Sequence, residues 1–216
     1  MATMFALSPT TSGGGGVPAR RDANERERLR EILAERTFKR GEYTLASGQR
    51  SRMYFNLKAT MMHAEGASLC ARQLLDRIAP LKPDYMGGLE MGAVPLLGTV
   101  AAYSHDRGAA IPAIFVRKEA KKHGTALMIE GLDDTNGETL AGKSVVLVDD
   151  VATSGNSVLQ AIAEINGAGG RVTDAIVILD REQGATELLR EHGVKLHALF
   201  TATDLGVTDA DRAPLD

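Results

Sequence analysis

Along most of the chain, short apolar runs alternate with segments whose apolar residues recur at helical spacing. The clearest run, residues 145–148 (Val-Val-Leu-Val), has no polar alternation. Such a strand is buried on both faces, as in a parallel sheet covered by helices. Residues 157–166 then carry apolar positions at helical spacing, with Gly167 as a stop. Upstream, residues 22–36 predict a charged helix with Leu29, Ile32 and Leu33 on one stripe. Residues 41–57 alternate apolar and polar positions around Ser47 and Gly48, which predicts a hairpin. A helix over 66–78 is ended by Pro80 and Pro83. Strands follow at 85–89 and 111–116, with a helix at 94–104 between them and a long polar loop over 118–139. Residues 174–179 predict another strand and 186–191 a short helix.

Strands that alternate with helices imply an α/β domain with a doubly wound parallel sheet. It is expected to span residues 21–216, with a small helix-and-hairpin hood over about 21–60. Residues 1–20 include Ser8, Ser12 and a run of four glycines, too little apolar surface to offset the entropy of ordering. They are expected to be a disordered extension; the apolar patch at 4–7 is too short for a signal peptide.

Composition narrows the classes. A chain of 216 residues, 44% hydrophobic, can bury a sizeable core. Its formal charge of −3 offers no bulk attraction to nucleic acid or to an anionic membrane, so neither is expected as a partner. Cys70 is the only cysteine, so an intrachain disulfide is excluded. The apolar stretch from Gly92 to Tyr103 is about half of what a bilayer requires, and a cytoplasmic location is expected.

The candidate chemistry begins where the core strand ends. Asp149 and Asp150 fall at the carboxyl end of residues 145–148, the sheet edge at which open α/β folds bind ligands. Val151, Ala152, Thr153, Ser154, Gly155, Asn156 and Ser157 follow. Small residues let backbone N–H groups turn around an anion, and the hydroxyls add donors at a helix N-terminus. Two carboxylates beside an anion site need another partner, and vicinal sugar hydroxyls suit them. A phosphorylated ribose satisfies both halves, whereas two acids that only end a strand and cap a helix would not need the turn.

Three further groups carry potential chemistry. Arg117, Lys118, Lys121, Lys122 and His123 lie within seven residues, a clamp for a polyanion or, by themselves, a solvated loop. Gly87, Gly88 and Gly92 flank a strand end, where glycine admits a ligand to the backbone or relieves helix–strand crowding. Arg181 follows a strand at the same sheet edge, and its guanidinium fork matches a carboxylate. His63, His105, His192 and His197 have no ligand spacing, so no protein-held metal site is expected.

The 145–157 stretch resembles the 5-phosphoribosyl 1-diphosphate (PRPP) signature of type I phosphoribosyltransferases. From about residue 38 to 181 the chain is similar to the family's orotate-using enzymes, most closely in Arg117-Lys118-Glu119-Ala120-Lys121-Lys122-His123-Gly124. The resemblance implies transfer of phosphoribose from PRPP to orotate, giving orotidine 5′-monophosphate and pyrophosphate in pyrimidine nucleotide synthesis. It implies that Asp149 and Asp150 hold the ribose and residues 151–157 the 5′-phosphate. Arg117, Lys118, Lys121 and His123 would contact pyrophosphate, with Lys121 and His123 reaching into the partner site of a homodimer. Residues 87–95 resemble the pyrophosphate loop. Thr44 to Gly48 and Met53 to Asn56 resemble base-pocket elements, in which Tyr54 and Phe55, with Thr153 and Arg181, would hold orotate; Tyr54 and Phe55 are equally good core residues. Met91 and Ala46 stand where many relatives carry lysine. Magnesium would ride on the substrate phosphates. A transferase for another base would share the PRPP stretch without needing residues 117–124 or Arg181, and a nucleic-acid-binding regulator of the same fold would want an extended basic surface or a DNA-binding appendage.

Overall fold

The computed structural model describes residues 18–44, 50–119 and 128–213. Helix α1 (Pro18–Arg36) leads into the antiparallel hairpin β1 (Phe38–Thr44) and β2 (Arg50–Phe55). The short helix α2 (Lys58–Met61) and helix α3 (Ala64–Ile78) follow, then β3 (Tyr85–Gly87) and α4 (Val94–Asp106). The small strands β4 (Phe115–Val116) and β5 (Ile129–Glu130) pair antiparallel. The rest is β6 (Ser144–Ala152), α5 (Asn156–Gly167), β7 (Arg171–Asp180), α6 (Ala185–Glu191), β8 (Lys195–Thr201) and α7 (Asp209–Arg212).

The main sheet runs β3-β6-β7-β8, all parallel. Parallel bridges from Met86 to Ala113 and from Leu89 to Val116 add the 113–116 segment beside β3. The first strand in sequence therefore lies between the second and the third, and the order reverses between β3 and β6. In doubly wound sheets that reversal opens a crevice at the carboxyl ends of the strands.

The apolar run at 145–148 splits between two cores. Val146 and Val148 pack with α1, α3 and α4 through Leu33, Leu74, Leu97 and Val100. Val145 and Leu147 pack on the other face with Val158, Ile162 and Ile165 of α5. That division explains the missing polar alternation, since neither face of β6 meets water. The predicted stripe of α1 is realised too: Leu29, Ile32 and Leu33 are buried in the first core.

Four expectations change. Strand β6 continues to Ala152, so Asp149 and Asp150 are members of the strand, held by pairing with β7, rather than residues beyond its end. Helix α1 begins at Pro18, inside the stretch expected to be disordered; proline is suited to a first helical position. The polar 118–139 segment contains β5, which pairs with the strand leaving the sheet. The 111–116 strand is regular only over its last two residues, its earlier part joining β3 by isolated bonds such as Ile114 N–H to Met86 O at 2.9 Å. Strand β8 was not anticipated: its Lys195 and His197 interrupt the apolar pattern, and His197 is accommodated by Asp174 on β7, 2.8 Å from its Nε2. The hairpin turn at Ser47 and Gly48 lies outside the described residues.

Glycine at 88 is sterically required. A Cβ there would lie 2.3 Å from the carbonyl oxygen of Val148 and 2.4 Å from Cβ of Ala93. Gly98, in the middle of α4, has open space where a Cβ would go. Gly88→Ala is expected to cost about 1–3 kcal/mol of stability through overpacking, whereas Gly98→Ala should add about 0.5–1 kcal/mol through helix propensity. Urea unfolding of the two variants checks this, and equal midpoints would remove the assigned cause.

Candidate functional site

A cleft of about 450 Å³ opens where the strand order reverses. Its floor is the end of β6 and the turn into α5, from Asp149 to Gly155 with Ser157 and Val158. One side wall is the segment from Tyr54 to Lys58; the other is formed by Leu89, Glu90, Met91, Gly92 and Lys118.

The acids are held rigidly by the strand that carries them. Asp149 Oδ1 accepts the Asp150 N–H at 2.9 Å, and Asp150 Oδ1 accepts the Val151 N–H at 2.9 Å. Gly92 presses directly on both: a Cβ on it would lie 2.6 Å from Oδ1 of each carboxylate. The glycine-rich loop and the acid pair are thus in contact, which sequence spacing could not show. Burial, and after it the neighbouring Asp150 charge, pushes the Asp149 carboxyl up to about 7 from an ordinary value near 3.8. The bond from the Asp150 N–H acts in the opposite direction.

Beyond the acids, Gly155 caps α5 in the left-handed conformation, with φ at 86°. No side chain caps the helix, so its first-turn N–H groups remain available to an anion. The Ser154 hydroxyl oxygen accepts a bond from Asn156 Nδ2 at 3.1 Å, which draws Asn156 along the turn; Asn156 is not on the cleft wall, whereas Thr153, Ser154 and Ser157 are.

The wall at Phe55 is built by a stack. The Arg181 guanidinium lies over the Phe55 ring at 5.1 Å, and Phe55 stacks on Phe38 at 5.1 Å and 25°. Arg40 covers Phe38 at 4.8 Å while its Nε donates to Asp211 at 2.9 Å. Arg181 itself is pinned by its N–H to Ala152 O at 2.9 Å, and the next turn by Asp180, which accepts from the Glu182 N–H at 2.8 Å. Its Nε is buried without a hydrogen-bond partner, and burial lowers its pKa. A cation placed on an aromatic face with an unmatched N–H is prepared for an anionic acceptor.

Of the basic segment, Lys118 borders the cleft and its N–H donates to Glu90 Oε1 at 2.9 Å. Arg117 points along the β4-β5 ribbon, its Nη1 3.7 Å from Glu130, and is not on the cleft wall. Lys121, His123 and Ala46 lie outside the described residues. Lys58 was missed by the sequence reading: its Nζ is 3.7 Å from Asp150 Oδ2. A lysine at the start of a one-turn helix has no distinguishing pattern, and only the fold brings it to Asp150. Among the described residues, no group of three or more His, Cys, Asp or Glu could hold a metal ion, and no helix is long and apolar enough to cross a membrane.

Comparison with known proteins agrees with this geometry. Residues 55–197 match the model of the phosphoribosyl transferase domain. The orotate phosphoribosyltransferase of Bradyrhizobium sp. (strain ORS 278) is 49% identical over 179 residues, 83% of this chain and 96% of that protein. The crystal structure of Mycobacterium tuberculosis H37Rv orotate phosphoribosyltransferase with Fe(III) dicitrate superposes with a TM-score of 0.73 at 31% identity, over 85% of this chain and 99% of that one. The same enzyme in complex with PRPP gives a TM-score of 0.69 at 29% identity, with the same coverage of each chain. The architecture is therefore the type I phosphoribosyltransferase fold.

The raised Asp149 pKa has a sign that can be checked. The folded protein keeps the proton to higher pH than the unfolded chain, so this group favours folding most below about pH 4. Its contribution is lost as pH rises from there towards 7. In the ligand-free protein, Asp149→Asn should therefore gain on the parent over that range, by about 1.4 kcal/mol for each pKa unit sustained. Urea midpoints measured between pH 4.5 and 7.5 test it; a constant gap between the two proteins would rule out the shift.

Proposed function

The chain belongs to the orotate phosphoribosyltransferase family, and from that premise we infer that it transfers the phosphoribosyl group of PRPP to orotate, forming orotidine 5′-monophosphate and pyrophosphate in pyrimidine synthesis. The observation that carries this reading is a convergence: buried acids, an uncapped helix N-terminus and an arginine-backed aromatic ring meet around one cleft.

Asp149 and Asp150 accept the vicinal hydroxyls of the ribose, and Thr153, Ser154 and Ser157 with the first amides of α5 hold the 5′-phosphate. As the C1–O bond to diphosphate breaks and the bond from the base nitrogen forms, positive charge develops on the sugar. The carboxylates, already oriented by the Asp150 and Val151 amides, face that charge without reorganising. Lys118 and, from the 117–124 segment, Lys121 and His123 neutralise the departing diphosphate; Arg117 would have to leave Glu130 to join them. Orotate is distinguished from other bases by its carboxylate. Arg181, with its unpaired Nε and its support from Phe55, is suited to receive it, beside Tyr54 and Thr153.

The cleft's oxygen donors, Asp149 and Asp150 with the Thr153, Ser154 and Ser157 hydroxyls, suit Mg²⁺ carried in on the substrate, and when bound it would supply charge neutralisation at the diphosphate. A cytoplasmic homodimer with sites shared through residues 121–123 belongs to the same proposal.

Loss of orotate absorbance in the presence of PRPP and Mg²⁺ tests the activity, with uracil and hypoxanthine as controls; turnover of a control base in place of orotate would refute the base assignment. Asp150→Asn is expected to lower turnover about 10²–10³-fold while the protein still folds and unfolds cooperatively, and a near-normal rate would remove its role. For the shared site, mixing Lys121→Ala with Asp150→Asn chains should restore about a quarter of parental activity, since each heterodimer has one intact site. No recovery after verified subunit exchange would speak against sharing.

A further inference from the structure

The charge of the cleft does not suit its proposed substrate unless a cation is close to the acids. Among the described residues on its walls are three carboxylates, Glu90, Asp149 and Asp150, and two ammonium groups, Lys58 and Lys118. PRPP brings a 5′-phosphate and a diphosphate, both anionic, into this space. Lys118 stands on the wall joined to Glu90, whose carboxylate takes its N–H. Lys58 stands on the opposite wall, beside Asp150.

Its base is fixed. Helix α2 buries Thr60 and Met61 completely or nearly so, and the Thr60 hydroxyl bonds that of Thr37 at 2.9 Å in the interior. The opposite side of this turn leaves the Lys58 side chain 57% exposed. At 3.7 Å its contact with Asp150 is an ion pair beyond hydrogen-bond length. An ammonium group on a flexible stem, loosely held by a carboxylate that the ribose hydroxyls would engage, is free to turn to a second anion.

Building on the reading of this cleft as a PRPP site, we propose that Lys58 is a diphosphate-binding residue, held by Asp150 in the empty cleft and transferred to the diphosphate group when that anion enters. It contributes positive charge at the leaving group from the hairpin side, opposite Lys118. Until then the ion pair also lets the acid pair keep its orientation in the empty protein, because Asp150 is not left without a cation.

Binding of inorganic pyrophosphate with Mg²⁺, measured by calorimetry, tests the contact directly because pyrophosphate lacks the ribose. Lys58→Gln should weaken it about tenfold, leave ribose 5-phosphate binding within about twofold, and raise KM for PRPP but not for orotate. Lys58→Arg should retain most of the affinity, and unfolding midpoints identify any variant that fails to fold. Unchanged pyrophosphate affinity in Lys58→Gln would overturn the proposal. So would a loss confined to ribose 5-phosphate, which would make Lys58 only a positioner of Asp150. If the parent fails to use orotate but loses pyrophosphate affinity on Lys58→Gln, the base assignment falls and the Lys58 contact stands.

Discussion

Two adjacent carboxylates on a strand buried on both faces can serve a ligand only if the neighbouring backbone leaves them room, and Gly92 provides that room. Any side chain there would meet Oδ1 of both acids at 2.6 Å. The same crowding recurs earlier in this loop, where Gly88 lies against the Val148 carbonyl. The strand that carries the acids and the loop that would face the diphosphate are thus fitted to each other along several residues. The cleft at the reversal of strand order is the space left between them.

The electrostatic character of the site follows from that fit. Burial and mutual repulsion raise the Asp149 pKa, and the protein holds the pair together with main-chain N–H groups and one loosely held lysine. A sugar with two adjacent hydroxyls relieves the repulsion by donating to both acids. A phosphate alone would increase it, and so the anion is assigned to the amides and hydroxyls of the α5 turn. The proposed reading divides binding by chemistry: ribose hydroxyls to the acids, 5′-phosphate to the helix, diphosphate to the lysines.

A second set of contacts ties the base side of the cleft to the far end of the chain. Arg181, Phe55, Phe38 and Arg40 form a stack that ends on Asp211 of α7. The hairpin supplies both rings, while the residue after β7 and helix α7 supply the arginine and the acid at its ends. The hood is therefore part of the site's framework: Phe55 is stacked on Phe38 and covered by the Arg181 guanidinium, while Arg40 covers Phe38.

Much of this was legible in the chain itself. Four apolar residues without alternation determined a strand buried on both faces, because any polar position would have had to meet water. The acids and the Thr-Ser-Gly turn that follow point to a ligand with vicinal hydroxyls and a phosphate, such as a phosphorylated ribose, because such a ligand uses both. Arg181 could be singled out by its place after a strand. What the tertiary structure alone decided are the contacts between segments distant in sequence. Gly92 against the acids, Lys58 beside Asp150, Arg181 on Phe55 and Arg117 turned to Glu130 all depend on which elements pack together. Strand β8 belongs with them, since its partly buried His197 is matched by Asp174 on the neighbouring strand. Periodicity reports which face of an element is buried; it carries no information on which other element buries it.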